Sequence, residues 1–267
     1  MKKLVIVVMF ATLLIFAFAA VAPAASTLAG IQKKGELVVG TTGTQPPLNA
    51  TSKTGAVIGF DADLARFIAT SMGVSIKFAK MPFAELLPAL EAGKIDMIIS
   101  SMTMTLERNL KVAFVGPYYV SGKGILTKGE AITRLQQGEG LNSPEFKIAA
   151  LAESTSQKFV EAAAPLAKLV KVQSYDAAVD MLKQDKINAL VADYPFCAFT
   201  AFRYRDHGLV AGQSRLTFEP LGIAIKPDTH MINWLRNFVI MLDGSGQLKL
   251  LGQKWFESGD WINQLPE

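Results

Sequence analysis

The densest polar segment of the chain combines hydroxyls and a guanidinium that together suit a carboxylate. It reads Ser100-Ser101-Met102-Thr103-Met104-Thr105-Leu106-Glu107-Arg108 and follows an apolar run. Thr105 has the residue type of an N-cap for a helix that carries Arg108. A carboxylate here would meet free backbone N–H groups, the Thr103 hydroxyl and the two-pronged Arg108 guanidinium. The pattern equally allows an ordinary cap with Arg108 paired to Glu107 or another surface acid.

Asp193 is the second candidate, because it follows the apolar run Ala189-Leu190-Val191. A carboxylate at the end of a strand, opposite Arg108, would bind a ligand ammonium by charge-assisted hydrogen bonds. The alternative is an N-cap for a helix beginning at Tyr194-Pro195, since proline is favoured at the first helical position. Ser154-Thr155-Ser156 repeats the arrangement of hydroxyls in front of a predicted helix.

Signatures of catalysis and of metal binding are largely missing from the sequence. The two histidines, His207 and His230, lie outside HExxH and triad-like spacing, and no G-x-S-x-G or Cys/His cluster occurs. The run from Gly116 to Gly124 resembles a P-loop but has one residue too many and a glycine in place of Ser or Thr. The lone cysteine, Cys197, is predicted to be a buried structural thiol. We therefore expect no metal, no cofactor and no catalytic residue.

The elements that must position these residues alternate between strand and helix. In the first part we predict strands over 37–39, 74–78 and 97–99, and helices over 60–68 and 83–90. In the second part we predict strands over 148–151, 169–172 and 189–191, with helices over 157–163 and from the Ser174 cap to 182. This alternation predicts an α/β fold with a largely parallel sheet.

An internal correspondence links the two parts. Residues 90–99, LEAGKIDMII, align without gaps on residues 182–191, LKQDKINALV, with identical Leu, Lys and Ile. The alignment makes Ser101 and Asp193 equivalent, each just past the carboxyl end of a buried strand, where open α/β sheets bind ligands. The sequence therefore predicts two similar lobes, with Ser101 and Asp193 on opposite walls of one cleft.

Composition and the N-terminus indicate an exported protein. Of 267 residues half are apolar, which allows one large or two small domains. The net charge of +4 and the lack of a basic run with aromatics argue against a nucleic-acid partner. Lys2 and Lys3, an apolar run to Val21 and then Ala22-Pro23-Ala24 predict a signal peptide, residues 1–24, and a periplasmic location. An uncleaved membrane anchor is the alternative.

With these motifs the chain resembles the family 3 extracellular solute-binding proteins, the polar-amino-acid receptors of ABC importers. The segments that carry the resemblance are Gly40-Thr41-Thr42-Gly43 with Pro46-Pro47, Gly59-Phe60-Asp61-Ala62-Asp63-Leu64-Ala65, Leu86-Leu87-Pro88-Ala89-Leu90, Met102 to Arg108, and Pro117-Tyr118-Tyr119. The resemblance implies a two-lobed, type II-like periplasmic-binding-protein fold whose two crossovers form a hinge. The crossovers would lie near Tyr119 to Ser121 and near Ala224 to Pro227, so that residues 25–120 and 226–267 form lobe 1 and residues 121–225 form lobe 2.

The resemblance also implies roles for residues of the site. Arg108 would clamp the α-carboxylate of the ligand, aided by Ser101 and Thr103. Ser156 and Asp193 would complete the site from lobe 2, with Asp193 on the α-ammonium.

Aromatic side chains usually enclose the ligand in this family, and here the chain departs from the pattern. Gln45 stands where Tyr is common, and Phe83 stands where Trp is frequent, which leaves Phe83 as one wall. A neutral, polar or modest-sized ligand is favoured over a large cationic one.

The resemblance implies a monomeric receptor that delivers its ligand to an ABC permease in the inner membrane. Cyclohexadienyl (arogenate) dehydratases resemble the same family and represent the enzymatic alternative. Such an enzyme needs a general acid with a raised pKa, and Glu153 is the one nearby acid besides Asp193. A receptor for a signalling partner would keep the same pocket.

Overall fold

Two five-stranded sheets organise residues 27–129 and 140–266, the part of the chain that the computed structural model describes. The first sheet contains, in spatial order, β5 (Ser75–Lys80), β1 (Glu36–Thr41), β6 (Met97–Ile98), β13 (Glu219–Ile225) and β7 (Ala113–Ser121). The second contains β10 (Lys168–Val172), β9 (Lys147–Leu151), β11 (Ala189–Asp193), β8 (Lys123–Lys128) and β12 (Leu209–Ala211). A small sheet adds β2 (Thr44–Gln45), β3 (Asn49–Thr51) and β4 (Val57–Ile58). The predicted signal peptide lies outside the described residues.

Helices connect and cover the strands. They are α1 (Leu28–Lys34), α2 (Phe60–Met72), α3 (Phe83–Glu91), α4 (Leu106–Asn109), α5 (Thr155–Ala163), α6 (Tyr175–Lys183), α7 (Tyr194–Arg203), α8 (Thr229–Gly244) and α9 (Gln247–Gly252). The chain also forms short turns of 3-10 or π helix at Arg205–His207, Gln253–Glu257 and Ile262–Gln264. Within the described ranges, none of these helices has the length and apolarity that crossing a membrane requires. The predicted strands and helices are all present, with ends shifted by up to a few residues.

The two large sheets share one pattern, as the internal correspondence predicted. In each, three strands run parallel and the fourth pairs antiparallel with the third. The matched segments of sequence form α3 with β6 in one lobe and α6 with β11 in the other. The fold is therefore the predicted two-lobed α/β arrangement, and the antiparallel strands β13 and β8 are additions to the largely parallel sheets.

The chain changes sheets at two neighbouring points. It enters the second sheet between Ser121 and Lys123, next to the predicted crossover. It returns before Glu219, which pairs with Ser121. Strand β13 pairs within the first sheet from Glu219 onward, ahead of the predicted return near Ala224 to Pro227. The bounds of the two lobes stay a prediction. The two crossings lie so close together that only glycine fits at position 122, because a Cβ there would lie 2.4 Å from the carbonyl oxygen of Thr217.

Candidate functional site

A short helix, α4, brings Arg108 into the interior between the lobes. The Thr105 hydroxyl accepts a hydrogen bond from the Arg108 backbone N–H at 3.1 Å, which confirms the predicted cap. The buried guanidinium donates through Nη1 to the Thr103 carbonyl at 3.0 Å and through Nη2 to the Glu153 carbonyl at 3.1 Å. Its central carbon lies 5.4 Å from the centre of the Phe83 ring. Arg108 thus contacts both lobes and one aromatic wall.

The partners of the Arg108 guanidinium are neutral. Among residues 27–129 and 140–266, its hydrogen bonds go to carbonyl oxygens and it forms no ion pair. The predicted alternative partner, Glu107, pairs with Lys158 instead. Burial lowers the pKa of Arg108, while the negative charges of Glu219, Glu107 and Asp193 act in the opposite direction. A buried cation with neutral acceptors is suited to receive an anion.

Asp193 ends β11 and lies at the head of α7, yet its side chain forms no capping bond. Its Oδ1 accepts a hydrogen bond from Lys123 Nζ at 2.8 Å, and its Oδ2 accepts one from Gln45 Nε2 at 2.5 Å. The Lys123 and Asp193 side chains are only 3% and 5% exposed. The carboxylate is therefore available for recognition chemistry but already holds an ammonium group of the protein.

Glu219 is a second buried acid at the same place. Its Oε2 accepts hydrogen bonds from Thr103 Oγ1 at 2.6 Å and Thr155 Oγ1 at 3.0 Å, and lies 3.5 Å from Lys123 Nζ. Its Oε1 accepts one from Thr217 Oγ1 at 3.0 Å. Burial is the largest influence on the Glu219 pKa and raises it, but the Lys123 charge and the three hydroxyls together hold the pKa below its ordinary value. Glu219 is therefore ionised at neutral pH.

Ser101 faces a buried network rather than Arg108. Asp61 accepts hydrogen bonds from Ser101 Oγ at 3.0 Å, Asn49 Nδ2 at 2.8 Å and Tyr118 Oη at 2.9 Å. Burial raises the pKa of Asp61 to about 6, although these hydrogen bonds act to lower it. Ser101 has a positive φ of 53°, which is uncommon for a residue with a Cβ. The network fixes the loop that leads from β6 to Thr103.

Ser156 lies inside α5 and is fully buried. Its hydroxyl forms no hydrogen bond of ordinary geometry among the described residues. It lies near the Tyr175 hydroxyl and opposes the rise in the Tyr175 pKa that burial causes. The helix cap is the neighbouring Ser154, whose Oγ accepts from the Gln157 N–H at 3.2 Å.

The structure brings together five of the seven predicted site residues: Gln45, Phe83, Thr103, Arg108 and Asp193. Ser101 and Ser156 stay predictions as ligand contacts, because their hydroxyls face other groups. Sequence reasoning missed Lys123 and Glu219. A signal was available, because Lys123 and Glu219 are each the charged first residue of a strand beside a crossover.

The glycine-rich run that resembled a P-loop has a packing explanation. A Cβ at Gly124 would lie 3.1 Å from the Tyr194 Cα and 3.3 Å from the Cys197 sulfur. Gly124 therefore lets α7 pack closely on β8. Cys197 is buried as predicted, and burial raises the pKa of its thiol far above the ordinary value, which makes it unreactive.

Comparison with known proteins identifies the family. The family model described as bacterial extracellular solute-binding proteins, family 3, matches residues 37–258. The chain belongs to this family. The resemblance recognised in the sequence motifs is thereby confirmed.

Several relatives of the protein are similar over most of their length. The ABC transporter arginine-binding protein 1 of Escherichia coli K12 is 26% identical over 224 residues, which cover 81% of this chain and 89% of that protein. A putative ABC transporter binding component from Wolinella succinogenes, solved with lysine, is 34% identical with a TM-score of 0.81, covering 86% of this chain and 99% of that one. An ancestral amino acid-binding protein, described as a precursor of cyclohexadienyl dehydratase, is 34% identical with a TM-score of 0.79 and coverages of 87% and 100%.

Proposed function

We propose that this protein captures a small carboxylate, an amino acid or a close analogue, by closing its lobes outside the cytoplasmic membrane. The observation that carries the proposal is Arg108, a buried guanidinium that contacts both lobes and has neutral partners. A ligand carboxylate would supply the missing negative charge and a planar, two-oxygen acceptor. The relatives named above as arginine-binding and lysine-bound proteins support this class of ligand.

Contacts across the cleft support closure as the mechanism. Gln45 bonds to Asp193, Thr103 Oγ1 lies 3.3 Å from Thr155 Oγ1, and Arg108 reaches a carbonyl of the opposite lobe. At the rim, the exposed Glu107 of one lobe pairs with Lys158 of the other. A ligand that adds contacts to both walls favours the closed arrangement by its differential affinity for the two states.

The proposed ligand contacts follow from this geometry. Arg108 would hold the carboxylate, the Thr103 hydroxyl would add a hydrogen bond, and Phe83 would form one apolar wall. Ser101 and Ser156 would contribute only through a change of side-chain orientation. Phe83 already stacks on the guanidinium, so it also helps to orient Arg108.

A binding role is favoured over a dehydratase role by the acids of the site. Glu153, the general acid considered from the sequence, has an exposed side chain, and its carbonyl contacts Arg108. Glu219 has a lowered pKa, so it is ionised when a general acid must carry a proton. We therefore propose that the protein is not an enzyme.

We further propose that the protein is an exported monomer that delivers its ligand to an ABC permease. Membership of an extracellular family supports the location, and the names of the transporter-associated relatives support the partner. A receptor that signals would use the same cleft, and the partner would then be a membrane sensor.

Arg108→Ala tests the proposed function. We expect the affinity for the tightest ligand found in a calorimetric screen of small carboxylates to fall by about 100-fold or more, because the substitution leaves a buried carboxylate unpaired. Arg108→Lys should restore only part of the affinity, because it keeps the charge and loses the planar fork.

Arg66→Ala is the matched control for Arg108→Ala. Arg66 also donates to a backbone carbonyl and lies 5.3 Å from the centre of a phenylalanine ring, Phe78, but it is outside the cleft. The Arg66→Ala protein should bind the ligand with the affinity of the wild type. Wild-type affinity in folded Arg108→Ala protein, or a screen in which no small carboxylate binds, would contradict the proposed function.

A further inference from the structure

The Glu219 carboxylate holds hydroxyl groups from both walls of the cleft. Its Oε2 accepts from Thr103 Oγ1 at 2.6 Å and from Thr155 Oγ1 at 3.0 Å, and the two hydroxyl oxygens lie 3.3 Å apart. Thr103 follows β6 of the first sheet, whereas Thr155 is the first residue of α5, which packs on the second sheet. One acid therefore holds a hydroxyl of each wall, next to the carbonyl group that contacts Arg108.

Backbone pairing fixes the Thr103 hydroxyl against the strand that carries Glu219. Thr103 pairs with Leu221 of β13 in an antiparallel bridge, and the Met104 N–H donates to the Pro220 carbonyl at 2.8 Å. Glu219 lies two residues ahead of Leu221 on the same strand. The contact between Thr103 and Glu219 is therefore set by paired backbone rather than by two flexible side chains.

The protons of both hydroxyls are used inside this cluster. A threonine hydroxyl has one proton to donate and two lone pairs with which to accept. Glu219 is ionised at neutral pH, so its carboxylate can only accept, and it takes the Thr103 proton in a charge-assisted hydrogen bond. Thr155 donates to the same oxygen or to Thr103 Oγ1, and in both cases its proton stays in the cluster. A ligand therefore meets only lone pairs on the two hydroxyls.

Lone pairs at this place suit an ammonium group and oppose a carboxylate. A ligand ammonium carries three donors, and Asp193, which accepts two hydrogen bonds, keeps lone pairs for one of them. The two hydroxyls can accept the others. Lys123 offsets only one of the two negative charges of Asp193 and Glu219, which leaves this end of the cleft negative. The Thr103 hydroxyl thus suits the ammonium end of a ligand, whereas the family resemblance implied that it aids Arg108 on the carboxylate.

Building on the function proposed above, we propose that Glu219 is a positioning residue that makes the Thr103 and Thr155 hydroxyls acceptors for the α-ammonium group of an amino acid. Glu219 acts through the two threonines and need not touch the ligand itself. Because the threonines belong to opposite walls, an ammonium group finds both acceptors only when the lobes are closed. Glu219 thereby favours amino acids over carboxylates that lack an α-amino group.

Thr103→Val tests the direction of the hydrogen bond with two ligands. The amino acid that binds best is compared by calorimetry with the 2-oxo acid of the same carbon skeleton, which keeps the carboxylate and has no donor on the α-carbon. A weakly binding oxo acid is measured by its displacement of the amino acid. We expect the affinity to fall by about tenfold or more for the amino acid and by less than about threefold for the oxo acid. Equal losses would show that the hydroxyl donates to the carboxylate, which would overturn the inference.

Two substitutions of Glu219 separate its hydrogen bonds from its charge. Glu219→Gln removes the charge and keeps an oxygen that can accept both hydroxyl protons, whereas Glu219→Met keeps an unbranched side chain and removes the acceptors. We expect the affinity for the amino acid to fall further in Glu219→Met than in Glu219→Gln, by about threefold or more. Equal losses in the two folded variants would mean that Glu219 acts through its charge alone. Wild-type affinity in Glu219→Met would mean that the hydroxyls need no positioning, and either result would overturn the inference.

Asp96→Asn is the matched control for the removal of a buried acid. Asp96 accepts a hydrogen bond from Lys34 Nζ at 2.8 Å, and it precedes β6, at the end of that strand away from Thr103. The Asp96→Asn protein should bind the amino acid with the affinity of the wild type. If Glu219→Met does not fold, the comparison of two ligands in Thr103→Val decides.

The wild-type protein separates this inference from the function on which it rests. Tighter binding of the oxo acid than of the amino acid would overturn the role of Glu219 and leave capture of a small carboxylate intact. Binding of no small carboxylate would overturn both.

Discussion

At the scale of single residues, recognition in the cleft depends on which charges are already paired. The sequence predicted Ser101 and Asp193 on opposite walls because each lies just past the end of an apolar strand, and it placed Arg108 on the helix that follows Ser101. It did not predict Lys123 or Glu219, because Lys123 is 70 residues from Asp193 and Glu219 is 116 residues from Thr103. Contacts over such separations are set by the register of strands that pair within a sheet, and local patterns carry no information about them. The ionisation of each acid follows from these contacts.

Asp61 gives a prediction about stability and pH. Burial raises its pKa to about 6 from the ordinary 3.8. Between these two pH values the folded protein keeps a proton on Asp61 that the unfolded chain has released. The stability associated with this group is complete below the ordinary pKa and is lost as the pH rises through about 6. The difference between the two pKa values corresponds to about 3 kcal/mol.

Asp61→Asn should remove this loss, because the amide does not ionise. We expect the free energy of unfolding of the wild type, relative to Asp61→Asn, to fall by about 2–3 kcal/mol between about pH 4 and about pH 7.5. Urea denaturation of both proteins across this pH range measures the difference between their free energies of unfolding. The contributions of the other titrating groups are the same in both proteins and largely cancel. Parallel pH profiles for the two proteins would show that the Asp61 pKa is not raised.

At the scale of elements, local signals were sufficient for most helices and strands. Thr105, Ser154 and Ser174 each cap a helix with a side-chain oxygen on a backbone N–H, as their residue types and positions predicted. The point at which the chain returns to the first sheet was less predictable, since the sequence of β13, EPLGIAI, contains no break. Caps are determined within a few residues, whereas the sheet that a strand joins is determined by distant partners.

The Thr105 cap gives a prediction that separates stability from recognition. Thr105→Ala and Ser174→Ala each remove one cap, and each should lower the free energy of unfolding by about 1 kcal/mol. Only Thr105→Ala should also weaken ligand binding, because α4 has four residues and its cap holds the backbone of Arg108. Urea denaturation and calorimetry on both variants provide the comparison. Equal affinities in the two variants would mean that Arg108 is positioned without the cap.

At the scale of the whole molecule, the two lobes repeat one arrangement and present their strand ends to each other. The internal correspondence between residues 90–99 and 182–191 predicted this arrangement, and the resemblance to a family predicted the hinge. The sequence could not predict the polar contacts that cross the cleft, because they exist only when the lobes meet. One of these contacts is an exposed ion pair between Glu107 and Lys158 of the kind that contributes little. Apolar contacts also join the lobes, such as Phe199 with Trp261.

A ligand carboxylate that bonds to both walls should shift the protein toward the closed arrangement. We expect the radius of gyration from small-angle scattering to be larger without ligand than with a saturating carboxylate, because the ligand adds charge-assisted bonds between the walls. Arg108→Ala protein should show no compaction at the same ligand concentration, since it lacks the group through which the carboxylate joins the lobes. If the ligand-free wild type already has the radius calculated for the closed structure, the internal pairs of Lys123, Asp193 and Gln45 suffice to close it, and ligand binding must then act on a minor open population.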